Sequence, residues 1–239
     1  VCYGGCGQSN DLAVLVALAN NEPIERARAD LLQRLPLDDP SLWEPNTNAP
    51  EARYVASGDD LRYQHGVAPK YMINRGFTPK TLKAWDVGWD PNLEAVVIPV
   101  REKPLGPVLA LVRRVLKPTA DQPKYENTPG LDKDALFGLE HVGHQSKYVA
   151  IVEGPLDAMW LWQCGVSAVA LLGSSLTLGQ ADKIAKRFWT VYLLLDADKA
   201  GQVGVKRARR LLKRVDTRVV TLPPGRKDAQ ECTPQEIAE

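Results

Sequence analysis

Disulfides, histidine clusters and membrane spans are the first things this sequence fails to supply. Four cysteines among 239 residues do not make a disulfide framework. The three histidines, His65, His141 and His144, stand alone without metal-ligand spacing, and none is assigned chemistry. No apolar run is long enough to cross a bilayer and no signal peptide is visible, so the expected location is cytoplasmic, with no membrane partner. A dominant charge is missing too. The 30 basic residues face 29 acidic ones, so global charge argues neither for nor against nucleic acid. There is also no initiator methionine: the chain opens at Val1 in mid-motif and is read as a fragment.

What is present is enough apolar sequence, 44% of residues, for one large or two medium cores. "VCYGGCGQSNDLAVLVALANN" reads as a cysteine knuckle running into a helix capped near Ser9-Asn10-Asp11, and "EPIERARADLLQRL" as a second helix. Residues 36–54 are rich in Pro, Asn and Asp, lack periodicity and read as a linker. Short helices follow, one starting at Thr78-Pro79. "EAVVIPV" and "PVLALVRRVL" then alternate as two antiparallel strands joined at Lys103 to Gly106. From Lys147 the pattern becomes strand and helix by turns: "YVAIVE", "SAVALLG", "TVYLLLD" and "RVVTLP" are the strands, separated by helices. Continuous apolar strands with helices between them imply a parallel sheet covered on both faces.

Such sheets place ligands at the carboxyl ends of their strands. Glu153 ends the first of these strands, and Asp196 with Asp198 ends the third. In an extended Asp-x-Asp both side chains project to one side, so the two carboxylates can share a hard divalent cation or hold two adjacent ones. Glu153 could complete the cluster or act as a general base. An Asp-x-Asp after a strand is often only a helix cap. Glu-Gly-Pro at one strand end and Lys-Ala-Gly after the aspartates at another weigh against that reading.

"VEGPLDAMWLWQCGVSAVALLGSSLT" followed by "LLLDADKAG" resembles the Toprim domain, in the form carried by DnaG-type primases. The resemblance extends through Ser174, Ser175 and Thr177 to "PPGRKDAQE", where Asp228 matches a further metal-site acid and Gln230 stands where the family has an aspartate. Upstream, "YMINRGFTPKTLKAWDVGWDP" and "PVLALVRRVLKPTADQPKYENTPG" resemble the segments that open the primase core and carry its template and nucleotide surface. Arg114, Lys124, Tyr125 and Asn127 are the matching residues there. "ALFGL" closes that subdomain. The N-terminus resembles the end of the primase zinc-binding domain, with Cys2 and Cys6 as half of a zinc site. Two thiolates cannot fill a tetrahedral site, and the partner pair would lie before Val1.

The remaining basic residues and cysteines have plainer readings. Seven basic residues and no acid lie between Lys199 and Arg214, and Arg207, Arg210, Lys213 and Arg214 read as a solvated helix face. Arg113 and Arg114 are neighbours on a strand and must point to opposite faces. Cys164 reads as core and Cys232 as part of a polar tail without a partner.

The resemblance thus implies four regions: a zinc-domain remnant (1–35), a linker (36–54), a mixed α+β primase subdomain (55–146) and a Toprim-type parallel-sheet domain (147–239). It implies a DNA primase catalytic core that makes RNA primers on single-stranded DNA from ribonucleoside triphosphates, using Mg2+ or Mn2+. A replicative helicase is the expected partner and zinc an expected ligand of the full-length protein. The implied metal-binding and catalytic set is Glu153, Asp196, Asp198 and Asp228. A strand-cleaving Toprim nuclease or topoisomerase and a non-catalytic Toprim DNA-binding module are the alternatives.

Overall fold

The structure is a computed structural model that describes residues 63–238 apart from Ala68, 103–105, Gly130 and Ser174. Cys2, Cys6, the two N-terminal helices and the 36–54 linker lie outside the described residues.

Two short helices lead in, α1 (Lys70–Asn74) and α2 (Pro79–Ala84). The Thr78 hydroxyl accepts the Thr81 N–H at 3.1 Å and Pro79 occupies the first helical position, which together start α2. An antiparallel sheet follows in the order β1 (Gly88–Asp90), β2 (Ala95–Arg101), β3 (Val108–Val115), β4 (Tyr125–Asn127). The β2–β3 pair is the hairpin expected from the alternation. β1 and β4 were not foreseen as strands: each is three residues long and is defined by pairing with its neighbour, not by an apolar pattern.

The second sheet is parallel throughout, in the order β6 (Ala168–Ala170), β5 (Tyr148–Val152), β7 (Thr190–Leu193), β8 (Asp216–Val219). Its connecting helices are α3 (Pro155–Gln163), α4 (Leu178–Arg187) and α5 (Lys199–Leu211), and α6 (Pro234–Ala238) ends the described chain. This is the α/β class expected. The chain runs from β5 out to β6 on one side and then returns to β7 on the other, which puts the topological switch point at the carboxyl end of β5. The last strand sits earlier than "RVVTLP" suggested. Its register, Thr190↔Asp216 to Leu193↔Val219, is set by β7, and Val219 and Val220 stay exposed at the sheet edge. An edge strand has no second neighbour, so apolar content locates it poorly.

The two sheets share one core. Ala150, Val152, Ala168 and Ala170 from the parallel sheet pack with Val96, Ile98, Val100, Ala110 and Val112 from the antiparallel sheet, together with Leu156, Met159 and Trp160 of α3. The opposite face of the parallel sheet, Val149, Ile151, Val169, Val191 and Leu193, is covered by Ala181 and Ile184 of α4 and Ala208 of α5. Phe137 extends the sheet past β6, exchanging backbone hydrogen bonds with Ala170 at 2.9 and 3.0 Å. Cys164 packs against the shared core as expected. Cys232 belongs to the interior and not to a polar tail: it is 2% exposed, and its carbonyl accepts the Trp160 indole N–H at 2.9 Å. That bond pins the chain after β8 against α3.

Candidate active site

Glu153 follows β5 directly, and Gly154-Pro155 turns the chain at once into α3. A side chain on Gly154 would press on the Asp157 carboxylate, its Cβ falling 2.9 Å from Oδ2. The Glu153 carboxylate accepts the Asp196 backbone N–H at 3.2 Å, so it ties the end of β5 to the end of β7. Asp198 caps α5, its Oδ1 accepting the Gly201 N–H at 2.8 Å. Asp228 caps the short 3-10 turn Ala229–Glu231 in the same way, accepting from Glu231 at 2.9 Å. Three of the four acids singled out in the sequence thus have one oxygen engaged by backbone and a second left over.

Three of these acids border a cavity of about 350 Å3 at the switch point. Glu153, Asp196 and Asp228 line one side, and Lys124, Tyr125 and Asn127 of β4 and the residue before it line the other. Leu172, held in the left-handed region at φ 57°, and Gly173 form part of the wall. Two sequence-predicted residues do not line it. Asp198 is turned to its helix cap. Arg114 is buried, with its guanidinium over the rings of Tyr71 at 5.5 Å and Tyr125 at 5.2 Å, so it supports Tyr125 from behind. Arg113, on the other face, lies 3.9 Å from Asp90.

Electrostatics mark the carboxylate side as short of positive charge. Burial raises the pKa of Glu153, and the charges of Asp196 and Asp198 raise it further. Asp196 is also raised, by burial first and then by Asp228, Asp198 and Glu231. Among the described residues, Glu153, Asp196, Asp198 and Asp228 have no ion-pair partner within 4 Å. No three His, Cys, Asp or Glu among the described residues form a ready-made metal nest. Mg2+ does not require one, because it keeps several waters and takes only one or two carboxylates. An all-oxygen donor set with mutual repulsion fits a hard divalent cation.

Two residues that sequence reasoning passed over belong here. Asp157, on the first turn of α3, is buried and accepts the Gln230 backbone N–H at 3.1 Å. Arg75, from the turn after α1, donates to the Tyr71 hydroxyl at 2.7 Å and to the Gln230 side-chain carbonyl, while its own backbone carbonyl accepts Gln230 Nε2 at 3.0 Å. Gln230 therefore latches the turn after α1 to the segment that follows β8, beside the cavity that Arg75 and Gln230 both line. A carboxylate at that position could not donate to the Arg75 carbonyl. The signal for Asp157 was in plain view, an acid in the first turn of the helix that follows Glu153. No local pattern pointed to Arg75.

Asp157 carries a prediction. Burial, then the charges of Asp228 and Asp196, push its pKa from 3.8 to about 7. The folded chain therefore holds this proton more tightly than the unfolded chain. The associated stability is fully present below about pH 4 and is lost as pH rises through about 7. In metal-free buffer Asp157→Asn should remove roughly 2–4 kcal/mol of that loss between pH 4 and pH 8. Urea unfolding of both proteins across that range checks it, and parallel pH curves would refute the buried-acid assignment.

Comparison with known proteins agrees with this architecture. The Toprim-like family model matches residues 150–233. The DNA primase of Aquifex aeolicus is 30% identical over 94% of this chain and 54% of its own length. The solved zinc-binding and RNA polymerase domains of the Aquifex aeolicus primase superpose with a TM-score of 0.61 at 25% identity, covering 95% of this chain and 68% of that one. The primase fragment of the bacteriophage T7 primase-helicase protein has the same fold, with a TM-score of 0.58 at 22% identity over 80% of this chain and 79% of that one. The chain spans about half the length of the curated primases with which it aligns almost throughout. With its Toprim-like domain set behind an antiparallel-sheet subdomain, this chain is a relative of the DnaG-type primases.

Proposed function

We propose that this chain is the catalytic core of a DNA primase, joining ribonucleotides on a single-stranded DNA template. The observation that carries this reading is one cavity bounded by carboxylates from the parallel sheet and by Lys124, Tyr125 and Asn127 from the antiparallel sheet. Strand cleavage or simple DNA bridging by the same acids leaves the Lys124–Asn127 wall without a role.

In this reading Asp196 and Asp228 would hold Mg2+ or Mn2+ from the cavity wall, and Asp198 would add the oxygen that its helix cap leaves over; the metal would supply activation of the attacking 3′-hydroxyl and neutralisation of the departing pyrophosphate. Glu153 ties the end of β5 to the end of β7 through the Asp196 N–H, and in this reading its second oxygen takes a proton. Lys124 contributes a point charge for a phosphate, and Asn127 a polar group beside it. Tyr125, 37% exposed and backed by Arg114, offers a face on which a base can stack. The relatives' names extend the proposal: a zinc module that includes Cys2 and Cys6, and a helicase partner, complete the machine beyond the described residues.

The direct test is extension of a preannealed RNA primer with ribonucleoside triphosphates, with and without Mg2+. Metal-dependent incorporation directed by the template is the expected result, and strand scission in its place would favour a nuclease. Lys124→Ala should raise the apparent KM for nucleotide or template about tenfold, with a weaker salt dependence and an unchanged fold. Wild-type affinity and salt slope for both ligands would make Lys124 a mere surface charge.

A further inference from the structure

Helix α5 carries charge that the proposed active site does not use. At 100° per residue, Lys199, Lys206 and Arg210 fall within about 40° of one another on its exposed side, and the three extend over about 16 Å of helix axis. Lys213 and Arg214 follow just beyond its end and are exposed as well. The opposite side, Gly201, Gly204 and Ala208, is buried against the sheet.

The stripe is unlike an ordinary solvated face. Between Lys199 and Arg214 there is no acid, and Lys206, Arg210, Lys213 and Arg214 have no ion-pair partner among the described residues. The neighbouring helix α4 shows the usual arrangement, with Lys186 on Asp182 at 2.7 Å and Lys183 on Asp132 at 3.7 Å. Like charges four residues apart, as at Lys206 and Arg210, destabilise a helix unless something neutralises them. Arg207 is set apart from the stripe, because it donates to the Leu176 carbonyl at 3.0 Å and holds the loop before α4. A membrane surface is a poor candidate for the neutralising partner, because Val203 is the one large apolar residue that the helix leaves exposed, too little to insert.

The start of the stripe decides what it meets. Asp198, the cap of α5, follows the cavity-lining Asp196 by two residues, and the helix leads outward from that edge. We propose that the exposed face of α5 and the turn after it bind the phosphodiester backbone of the single-stranded template as it passes the active site. The inference rests on the primer-synthesis reading for the identity of the strand. Lys199, Lys206 and Arg210 make one row of charges along the helix, with the exposed Arg209 at its flank, and a single row follows a single backbone, whereas a duplex presents two. Contacts of this kind add affinity without reading sequence.

The test compares wild type with the triple variant Lys206→Gln, Arg210→Gln, Lys213→Gln, which avoids every residue placed at the cavity. Glutamine retains helix propensity, and circular dichroism checks the fold. Fluorescence anisotropy with a 30-nucleotide single-stranded DNA, in EDTA and over a range of salt, should show about tenfold weaker binding at 0.1 M salt. The slope of log K against log salt should be shallower by about two, as three lost phosphate contacts require. Lys186→Gln on α4 should change neither. First-nucleotide addition to a preannealed primer at saturating DNA should match wild type. Unchanged affinity and slope in the triple variant would overturn the assignment and leave the stripe to an acidic protein partner. If wild type extends no primer while the triple variant still loses DNA binding, the polymerase reading falls and the nucleic-acid surface stands.

Discussion

Replacing Asp196 by asparagine is expected to lower Mg2+-dependent primer extension by about 10^3-fold, because charge stabilisation worth several kcal/mol at the transferring phosphate is lost. The fold should survive. Asparagine matches aspartate in volume, and the bond that holds this loop to Glu153 comes from the Asp196 backbone N–H and not from its side chain. Asp198→Asn should be comparably inactive for a related reason and equally stable for a different one: asparagine caps a helix as well as aspartate, so the bond from the Gly201 N–H has a ready replacement. The decisive measurement is nucleotide incorporation in Mg2+ alongside the unfolding midpoint. Wild-type incorporation by Asp196→Asn would remove the carboxylate site from the proposal altogether.

Gly201→Ala should be nearly as damaging without touching a charge. In an unhindered helical position this change is stabilising by roughly 0.5–1 kcal/mol, since alanine gives up less backbone freedom. Here a Cβ would stand 2.0 Å from the Asp196 backbone oxygen and 3.0 Å from its carbonyl carbon. Backbone cannot rotate away as a side chain can, so the first turn of α5 and the Asp196 loop must separate. Overpacking of this severity costs about 1–3 kcal/mol or more. The larger effect falls on catalysis, because displacement of about 1 Å at a positioned group is worth ~10^2-fold in rate. Gly143→Ala, where an added Cβ meets nothing within 4 Å, is the control. If Gly201→Ala extended primers at the wild-type rate with a raised melting temperature, the close approach of α5 to Asp196 would not exist in solution.

The order of elements from Lys147 onward was legible because each strand is a short apolar run and each helix shows its own period and start signal. The capping box of Thr177 and Gln180 at α4 is an instance where the local sequence carries the whole instruction. Glu153 and Asp196 were legible for the same reason, since each follows an apolar strand that the sequence marks, whereas Asp228 was reached only through the family resemblance. Element boundaries at the sheet edges were not, and β1, β4 and β8 exist where they do because a neighbouring strand offers hydrogen bonds.

Sequence alone therefore determined the class of fold, the strand ends that carry acids and the kind of cation those acids suit. Tertiary structure decided everything that depends on residues far apart in the chain. It brought Lys124, Tyr125 and Asn127 across from the carboxylates, turned Asp198 to its cap and buried Arg114 beneath Tyr125. It also joined Arg75 to Gln230 over 155 positions of sequence. The physical reason is the shared core. Once Val96, Ile98 and Val112 pack against Ala150, Val152 and Leu156, the two sheets have one mutual placement, and the residues facing each other across the cavity follow from it.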